Sequence, residues 1–151
     1  MIVEDWLDKD LHNFLEKEFL YVTPHYYGHT SGENTENVFY NTDLNSKDTL
    51  IRFLSQQLQK TLNNKLIIHR IYINVQHPNM NGEFHTDEGN LTCLYMVTGN
   101  GNFEIKNEKV IEFKNNKLIC FDSNKLHRGL APTKGVRITL TFKTTTTGEK
   151  Y

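Results

Sequence analysis

The chain has 151 residues, of which 37% are apolar and 11% aromatic, and its formal net charge is −1. This length suffices for one domain with a sizeable core and is short for two, so we predict a single domain over residues 1–151. The sequence contains no run of about 18 apolar residues that would suggest a membrane span. Its acidic start differs from the basic start of a signal peptide. We therefore expect a soluble cytoplasmic protein in which Cys93 and Cys120 are reduced, buried thiols.

Residues 1–64 are predicted to be mainly helical. Apolar residues recur at helical spacing from Val3 to Leu15, which indicates an amphipathic first helix. A polar loop over residues 23–37 follows, and a second helix is predicted to begin with Ser46 as its N-cap. The predicted buried face of that helix consists of Leu50, Leu54, Leu58 and Leu62.

From Lys65 the pattern changes to the polar and apolar alternation that is typical of β-strands. Turn-forming residues separate the alternating runs. The eight predicted strands cover residues 66–76, 83–87, 91–98, 102–106, 109–113, 117–122, 126–131 and 136–143. Two helices followed by eight short strands predict a mainly β fold, a double-stranded β-helix or jelly roll over residues 65–143. The helices are expected to buttress one sheet, and residues 144–151 are expected to form a frayed tail.

The segment GEFHTDEG places His85 and Asp87 two positions apart on the second predicted strand. Side chains at positions i and i+2 share one face of a strand, so both can reach one metal ion. His127 lies on the seventh predicted strand, which can be a neighbour of the second strand in a jelly roll. Two imidazoles and one carboxylate on one side of an ion leave the other side open, as in non-haem Fe(II) oxygenases.

Arg137 lies ten residues after His127 and opens the last predicted strand, with Thr139 on the same face. A guanidinium beside a hydroxyl is a specific anchor for a carboxylate, such as the far carboxylate of a five-carbon keto acid. Taken singly, each of these features has an ordinary structural explanation: a polar turn, a structural histidine or a surface salt bridge. Their joint spacing is what favours a functional site.

Together, an H-x-D pair, a distal histidine and an arginine ten residues further on resemble the 2-oxoglutarate and Fe(II)-dependent dioxygenases. The resemblance is closest to their prolyl 4-hydroxylase-like branch and covers residues 66–143. It implies that Fe(II) is bound by His85, Asp87 and His127. It also implies that Arg137 and Thr139 bind 2-oxoglutarate, that O2 is consumed, and that ascorbate is a potential stimulant.

Two further positions matter to this comparison. The resemblance suggests that Tyr72 lines the cosubstrate pocket, whereas a solvated polar face explains the alternation of Arg70, Tyr72 and Asn74 equally well. The family often has the motif T-x-x-x-Y on its third strand, with the tyrosine as the fifth residue. In TCLYM that position is Met96, with Tyr95 one place early, which leaves the second hydrogen bond to the cosubstrate open.

The expected reaction is hydroxylation of a C–H bond, with a peptide or protein side chain as the substrate, proline being preferred, or else a small molecule. One alternative is a nucleic-acid demethylating oxygenase, because RITLTFK is similar to R-x-N-x-T-F-R; Thr139 and Lys143 depart from that pattern. Residues 101–151 contain 10 basic and 5 acidic side chains, which keeps a nucleic-acid partner open, although the near-neutral total disfavours one. The other alternative is a non-catalytic jelly-roll binding module. The sequence does not indicate an oligomeric state.

Overall fold

The computed structural model describes residues 1–33 and 36–151. Within them the chain forms ten strands, two α-helices and one π-helical turn. In chain order these are β1 (Ile2–Val3), α1 (Lys9–Lys17), the π-helical turn (Glu18–Val22), β2 (Tyr26–His29), β3 (Phe39–Asp43), α2 (Thr49–Leu62), β4 (Leu66–Gln76), β5 (Leu91–Thr98), β6 (Phe103–Ile105), β7 (Lys109–Ile111), β8 (Lys117–Asp122), β9 (His127–Gly129) and β10 (Arg137–Thr146). No helix in the described ranges is both long enough and apolar enough to cross a membrane.

The strands form two antiparallel sheets. The larger sheet has the order β1-β8-β5-β10-β4-β3-β2, and the smaller has the order β7-β6-β9. A bridge between His85 and His127 extends the smaller sheet beside β9. Apolar side chains from both sheets, including Leu94, Ile119 and Phe103, form one packed cluster between them. This two-sheet arrangement confirms the predicted jelly roll.

Alternation along β4 separates an apolar side of the larger sheet from a polar one. Ile71 and Ile73 pack in a core that also contains Leu15 of α1 and Leu54 of α2, so the helices cover this side of the sheet as predicted. On the opposite side, the side chain of Tyr72 lies in a narrow cavity between the sheets. The alternative of a solvated polar face is wrong for Tyr72, because only 5% of this residue is exposed.

The first helix is shorter than the sequence pattern predicted. Val3 lies in β1 and pairs with Leu118 of β8, so the chain is extended where the helical spacing began. The helix begins after Asp8, whose carboxylate accepts a hydrogen bond from the backbone N–H of Asp10. The apolar spacing was correct because Leu7 is buried in the same core, but the cap at Asp8 determines where the helix starts.

The second helix also begins later than predicted, at Thr49 with Asp48 as its N-cap residue. Ser46 is not the cap, because Asn45 forms a turn in which its side chain accepts from the N–H of Lys47. The buried residues of the helix are Ile51, Leu54, Ser55 and Leu58. The predicted Leu50 and Leu62 are only partly buried at the edge of the core.

Two predicted segments in the remaining chain differ in kind from the structure. The predicted polar loop over residues 23–37 contains β2, which pairs with β3, although Asn34 and Thr35 of this loop lie outside the described residues. The predicted strand over residues 83–87 is reduced to the single bridge at His85.

The expected frayed tail over residues 144–151 is wrong for its first six residues. Thr144, Thr145 and Thr146 continue β10 alongside β4. Beyond them, Lys65 N–H donates to Glu149 O at 2.8 Å, and the side chains of the same two residues form an ion pair at 2.8 Å. Pairing with distant residues therefore holds a segment whose own composition favours disorder.

A buried polar group links α1 to the larger sheet on the side remote from the cavity. His12 Nδ1 is hydrogen-bonded to the hydroxyl of Tyr95, which donates to Asn116 Oδ1 at 3.1 Å. Asn116 in turn donates to Leu7 O at 2.8 Å. Burial lowers the pKa of His12 below its ordinary value, so folding favours the neutral imidazole.

We predict that acid destabilises the fold in part through His12. The unfolded chain binds a proton to this residue more readily than the folded chain does, so stability falls as pH drops through the ordinary histidine pKa of about 6.5. His12→Asn keeps a polar group near the Nδ1 position without a titrating ring. Thermal unfolding at about pH 7.5 and about pH 5.5 should show a smaller difference for His12→Asn than for the wild type. The exposed His77→Asn should behave as the wild type does, and an unaltered pH dependence in His12→Asn would contradict the assignment.

Candidate metal centre and cosubstrate pocket

The cavity between the sheets brings together all six residues that the sequence singled out. It is lined by Tyr72, His85, Asp87, His127, Arg137 and Thr139, together with neighbouring side chains. His85, Asp87 and His127 lie at one end, and each offers a ligand atom within 4.8 Å of the others. Asp87 Oδ2 lies 3.0 Å from His127 Nε2, and Oδ1 lies 3.6 Å from His85 Nε2.

The backbone fixes this group of three. His85 and His127 exchange two backbone hydrogen bonds, N–H to O, at 3.1 and 3.0 Å. Asp87 N–H donates to Ser123 O at 2.9 Å, at the end of β8. A segment without regular strand structure therefore occupies the position that the sequence assigned to a full strand, and it still presents His85 and Asp87 to the same side.

Both imidazoles are oriented for ligation. His85 Nδ1 lies 2.8 Å from Glu83 O, and His127 Nδ1 lies 2.7 Å from Lys125 O. A carbonyl oxygen only accepts, so each Nδ1 carries a proton and each ring turns its Nε2 toward Asp87. Burial lowers the pKa of His85, which also favours the neutral ring. These backbone contacts are of the kind that orients metal-binding histidines.

Asp87 is held in its charged form. Burial alone raises the pKa of this carboxyl group, but hydrogen bonds and charges from His127 and Lys143 outweigh burial, and the pKa lies well below its ordinary value. Thr92 Oγ1 donates to Oδ2 at 2.9 Å, and Lys143 Nζ lies 2.9 Å from Oδ1. The three side chains thus offer two imidazole nitrogens and one carboxylate, a set of donors that can bind a metal ion.

The wall of the cavity is built from β10, which lies between β4 and β5. Its pairing sets Arg137 beside Gln76, Thr139 beside Asn74 and Thr141 beside Tyr72. Lys143 lies between Arg70 and Thr92. Alternate residues of a strand share one face. Arg137, Thr139, Thr141 and Lys143 therefore form one line along β10, which runs from the guanidinium of Arg137 to Asp87 of the triad.

Arg137 is almost fully enclosed, with 1% of the residue exposed. Its Nε donates to Gly101 O at 3.1 Å, and its Nη1 donates to Gln76 Oε1 at 2.6 Å. Burial lowers its pKa to about 9, so the guanidinium stays charged at neutral pH. Gly129 leaves room for it, because a Cβ atom there would lie 2.9 Å from Nη1.

Three polar atoms on the cavity face of β10 are unsatisfied. Among the residues that the structure describes, Arg137 Nη2, Thr139 Oγ1 and Thr141 Oγ1 are buried without a hydrogen-bond partner. A buried donor without a partner costs about 1 to 3 kcal/mol, so three on one face of a strand are unusual unless a ligand completes some of them. A carboxylate supplies the acceptor oxygens that Arg137 and Thr139 lack. The pocket therefore fits the far carboxylate of 2-oxoglutarate.

Tyr72 and Tyr95 have different surroundings. Tyr72 lies in the cavity with the guanidinium of Arg70 4.2 Å from its ring centre, and burial raises its pKa. Tyr95 points to the other side of β5, where it bonds His12, so it does not replace the tyrosine that the sequence motif lacks. Met96 is buried in the apolar cluster between the sheets.

The sequence motifs gave no indication of the contacts that surround Asp87. Thr92 donates its one hydroxyl proton to Asp87 and therefore accepts a hydrogen bond from Ser123 Oγ at 3.0 Å. Lys143 entered the sequence analysis only as a departure from another motif. Strand alternation was the available signal, because Arg137, Thr139 and Lys143 are separated by even numbers of residues on one strand.

Comparison of the sequence with protein-family models and with curated proteins finds no match. Comparison of the structure with solved structures finds similar folds. The viral collagen prolyl hydroxylase of Paramecium bursaria Chlorella virus-1, in complex with 2-oxoglutarate, matches with a TM-score of 0.68 and 14% identity, over 95% of this chain and 94% of that chain. This chain therefore shares its fold with that enzyme. The resemblance inferred from the motifs is thus confirmed at the level of the fold.

Two further structures show the range of enzymes with this fold. A Trichoplax adhaerens prolyl hydroxylase, bound to a peptide fragment of the hypoxia inducible factor oxygen degradation domain, has a TM-score of 0.68 and 13% identity, over 94% of this chain and 81% of that chain. An alpha-ketoglutarate-dependent carbocyclase from nogalamycin biosynthesis has a TM-score of 0.72 and 12% identity, over 95% of this chain and 78% of that chain. At these identities the likeness establishes the fold, and the substrate has to be argued from the site.

We predict that Gly129→Ala weakens 2-oxoglutarate binding while leaving metal affinity unchanged. The added methyl group displaces a guanidinium that Gln76 and Gly101 hold in place, so one charge-assisted hydrogen bond to the ligand is lost. Affinity for 2-oxoglutarate, measured by calorimetry with Mn(II) present, should fall by about tenfold. Gly135→Ala is the matched control, because it imposes backbone strain at φ +71° where no atom lies within 4 Å of the new methyl group. Equal affinities in Gly129→Ala and the wild type would contradict the packing argument.

Proposed function

We propose that the protein is an Fe(II)-dependent oxygenase that couples oxidative decarboxylation of 2-oxoglutarate to hydroxylation of a substrate C–H bond. The observation that carries the proposal is the pairing of two sites in one cavity. Two imidazole nitrogens and a carboxylate converge at one end, and a charged guanidinium with an unsatisfied donor lies at the other. This combination supports an enzyme rather than a binding module with a vestigial site, because a complete set of metal-binding side chains and a carboxylate-binding group face the same cavity.

His85, Asp87 and His127 would hold the metal, and this donor set is the one that non-haem Fe(II) oxygenases use. When bound, Fe(II) together with 2-oxoglutarate and O2 supplies the oxidising chemistry. Arg137 and Thr139 would bind the far carboxylate of 2-oxoglutarate and so orient its keto acid end toward the triad.

Other residues shield this end of the cavity from water. The ring of Phe121 lies 4.6 Å from that of His127, and the ring of Phe103 lies 5.6 Å from it, measured between ring centres. Leu94 lines the wall between them and Thr141. An enclosed apolar wall favours reaction with the bound substrate over side reactions with water.

For the substrate we propose the side chain of a peptide or protein, with proline preferred. A peptide complex exists for one enzyme of the same fold, the Trichoplax prolyl hydroxylase. The interval between His127 and Arg137 and the presence of Thr139 and Lys143 in the last strand support this choice over a nucleic-acid demethylase.

The distribution of charge also weighs against a nucleic-acid substrate. Arg137 is buried, and Lys143 is bound to Asp87, so neither belongs to a basic surface. Four more basic side chains from residues 101–151 are in ion pairs with carboxylates, namely Lys114, Lys117, Lys125 and Arg128. Six of the ten basic side chains in this segment are thus buried or paired, which reduces the charge available for binding to phosphates.

The metal role is tested with His127→Ala. Loss of one of three ligands should abolish both Mn(II) binding and Fe(II)-dependent release of succinate from 2-oxoglutarate. His77→Ala, which removes an exposed imidazole, should leave both intact. Persistence of metal binding and succinate release in His127→Ala would refute the metal assignment.

The cosubstrate role is tested with Arg137→Ala. Removing a charged contact from an enclosed pocket costs about 2 to 5 kcal/mol, so the apparent Kd for 2-oxoglutarate should rise by about 30-fold or more while Mn(II) still binds. Arg52→Ala, at an exposed position of α2, is the control. If Arg137→Ala bound 2-oxoglutarate as tightly as the control, the anchor would have to be another residue.

The substrate class is tested by paired turnover. Succinate release should be stimulated by proline-containing peptides, with a gain of one oxygen in the peptide mass. Methylated single-stranded DNA or RNA should not stimulate it at physiological salt, where loose phosphate contacts are screened. Stimulation by the nucleic acid alone, with loss of its methyl group, would replace the peptide proposal by the demethylase alternative.

A further inference from the structure

The side chain of Lys143 is partly buried, and its positive charge lies beside the candidate metal site. Its side chain is 17% exposed, and its Nζ lies 2.9 Å from Asp87 Oδ1. The same Nζ lies 5.5 Å from the ring centre of Tyr72, so it points into the cavity along with the rest of that face of β10. The ammonium group therefore contacts the carboxylate that would bind the metal.

The carboxylate of Asp87 is held on both sides by groups that are not metal ligands. Thr92 donates to Oδ2 at 2.9 Å, and Lys143 lies beside Oδ1. The side chain of Asp87 is only 1% exposed. A carboxylate buried to this extent is costly unless an opposite charge accompanies it. In the metal-free protein, Lys143 supplies that charge.

The neighbouring cation has a different partner. Arg70, beside Lys143 in the sheet, has its Nε 2.6 Å from Asp43 Oδ1 and its Nη2 3.0 Å from Asn41 Oδ1. Its guanidinium is thereby paired with side chains of β3. Among the ion pairs of the described residues, Lys143 is the lysine or arginine side chain that pairs with Asp87.

We propose that Lys143 is a positioning residue that acts as a built-in counter-ion of the metal site. It holds the carboxylate of Asp87 in place through its ion pair, and it competes with a metal ion at the triad for the same carboxylate. A dication at the triad lies close to this ammonium and is repelled by it. The inference rests on the proposed function, since it concerns the metal that the triad would hold.

Competition between Lys143 and the metal predicts that removing the lysine charge raises the affinity for the metal and lowers the stability of the metal-free protein. Lys143→Met keeps an unbranched apolar side chain of nearly the same length and removes the ammonium group. The metal-free variant should unfold at a lower temperature than the wild type, because Asp87 has lost its counter-ion. Its affinity for Mn(II), measured by calorimetry, should be higher by about tenfold or more, and Mn(II) should raise its Tm by more than it raises the Tm of the wild type.

Two controls separate this role from general stability. Lys117→Met removes another buried ammonium, one that is paired with Glu4 and hydrogen-bonded to Glu112 O, and should leave Mn(II) affinity within about twofold of the wild type. In an Asp87→Asn background, Lys143→Met should lower the Tm of the metal-free protein by less than it does in the wild type. That double-mutant comparison needs no metal and tests the ion pair even in a variant that binds none.

The outcomes distinguish the two proposals. A wild-type protein that binds no Mn(II) would overturn the proposed function. A wild type that binds Mn(II), with Lys143→Met binding it equally or more weakly, would overturn the counter-ion role and leave the proposed function standing. Tighter binding by Lys143→Met, with lower stability of its metal-free form, supports the competition between Lys143 and the metal.

Discussion

The register of β10 between β4 and β5 is the constraint on which the whole site depends. One face of β10 carries Arg137 and Thr139, which line the cavity, and Lys143, which contacts Asp87. The other face carries Ile138, Leu140 and Phe142, which are at most 1% exposed in the core beneath the helices. A slip of one residue would exchange the two faces, burying a guanidinium and an ammonium among apolar side chains. Packing of the helices thus fixes the chemistry of the cavity on the far side of the sheet.

Charge inside the cavity is balanced in some places and left open in others. Asp87 is paired in charge with Lys143, and its Oδ2 accepts from Thr92, whereas its Oδ1 has no hydrogen-bond partner in the described chain. Arg137 has partners for Nε and Nη1 but none within the described chain for Nη2, and Thr139 Oγ1 is likewise open. The end of the cavity at Arg137 is therefore preorganised to gain hydrogen bonds when a carboxylate enters. At the triad, a metal ion would have to compete with the ammonium group of Lys143 for Asp87. Unsatisfied groups of this kind cost stability and are retained where function needs them.

The elements predicted well from the sequence are those whose signal is local. The alternation in residues 66–76 and 91–98 gave β4 and β5 with the bounds that the structure has, and H-x-D placed two of the triad residues side by side. The alternation also assigned polar side chains of β4 to one face, but it could not say that this face was enclosed, because only the smaller sheet covers it.

The elements that were missed depend on partners distant in the chain. The strands β2 and β3 lie in a polar segment without strong alternation, and they form by adding to the edge of β4. The contact between Lys143 and Asp87 joins residues 56 positions apart and follows from the register of β10 and β5. The short segment that carries His85 stays outside the regular sheets, and Gly89 closes it at φ +91°, where a Cβ atom would meet Thr144 O at 2.1 Å. Such close approaches are decided by tertiary packing and leave little trace in local sequence.

The central claim is that the triad and Arg137 bind the two ends of one metal-bound keto acid. A crystal structure of the protein with Mn(II) and 2-oxoglutarate tests it most directly, with anomalous scattering to locate the metal. We expect one metal ion ligated by His85, Asp87 and His127, and the far carboxylate of 2-oxoglutarate within hydrogen-bond distance of Arg137 Nη2 and Thr139 Oγ1. A metal bound by other residues, or a keto acid whose far carboxylate lies away from Arg137, would contradict the account.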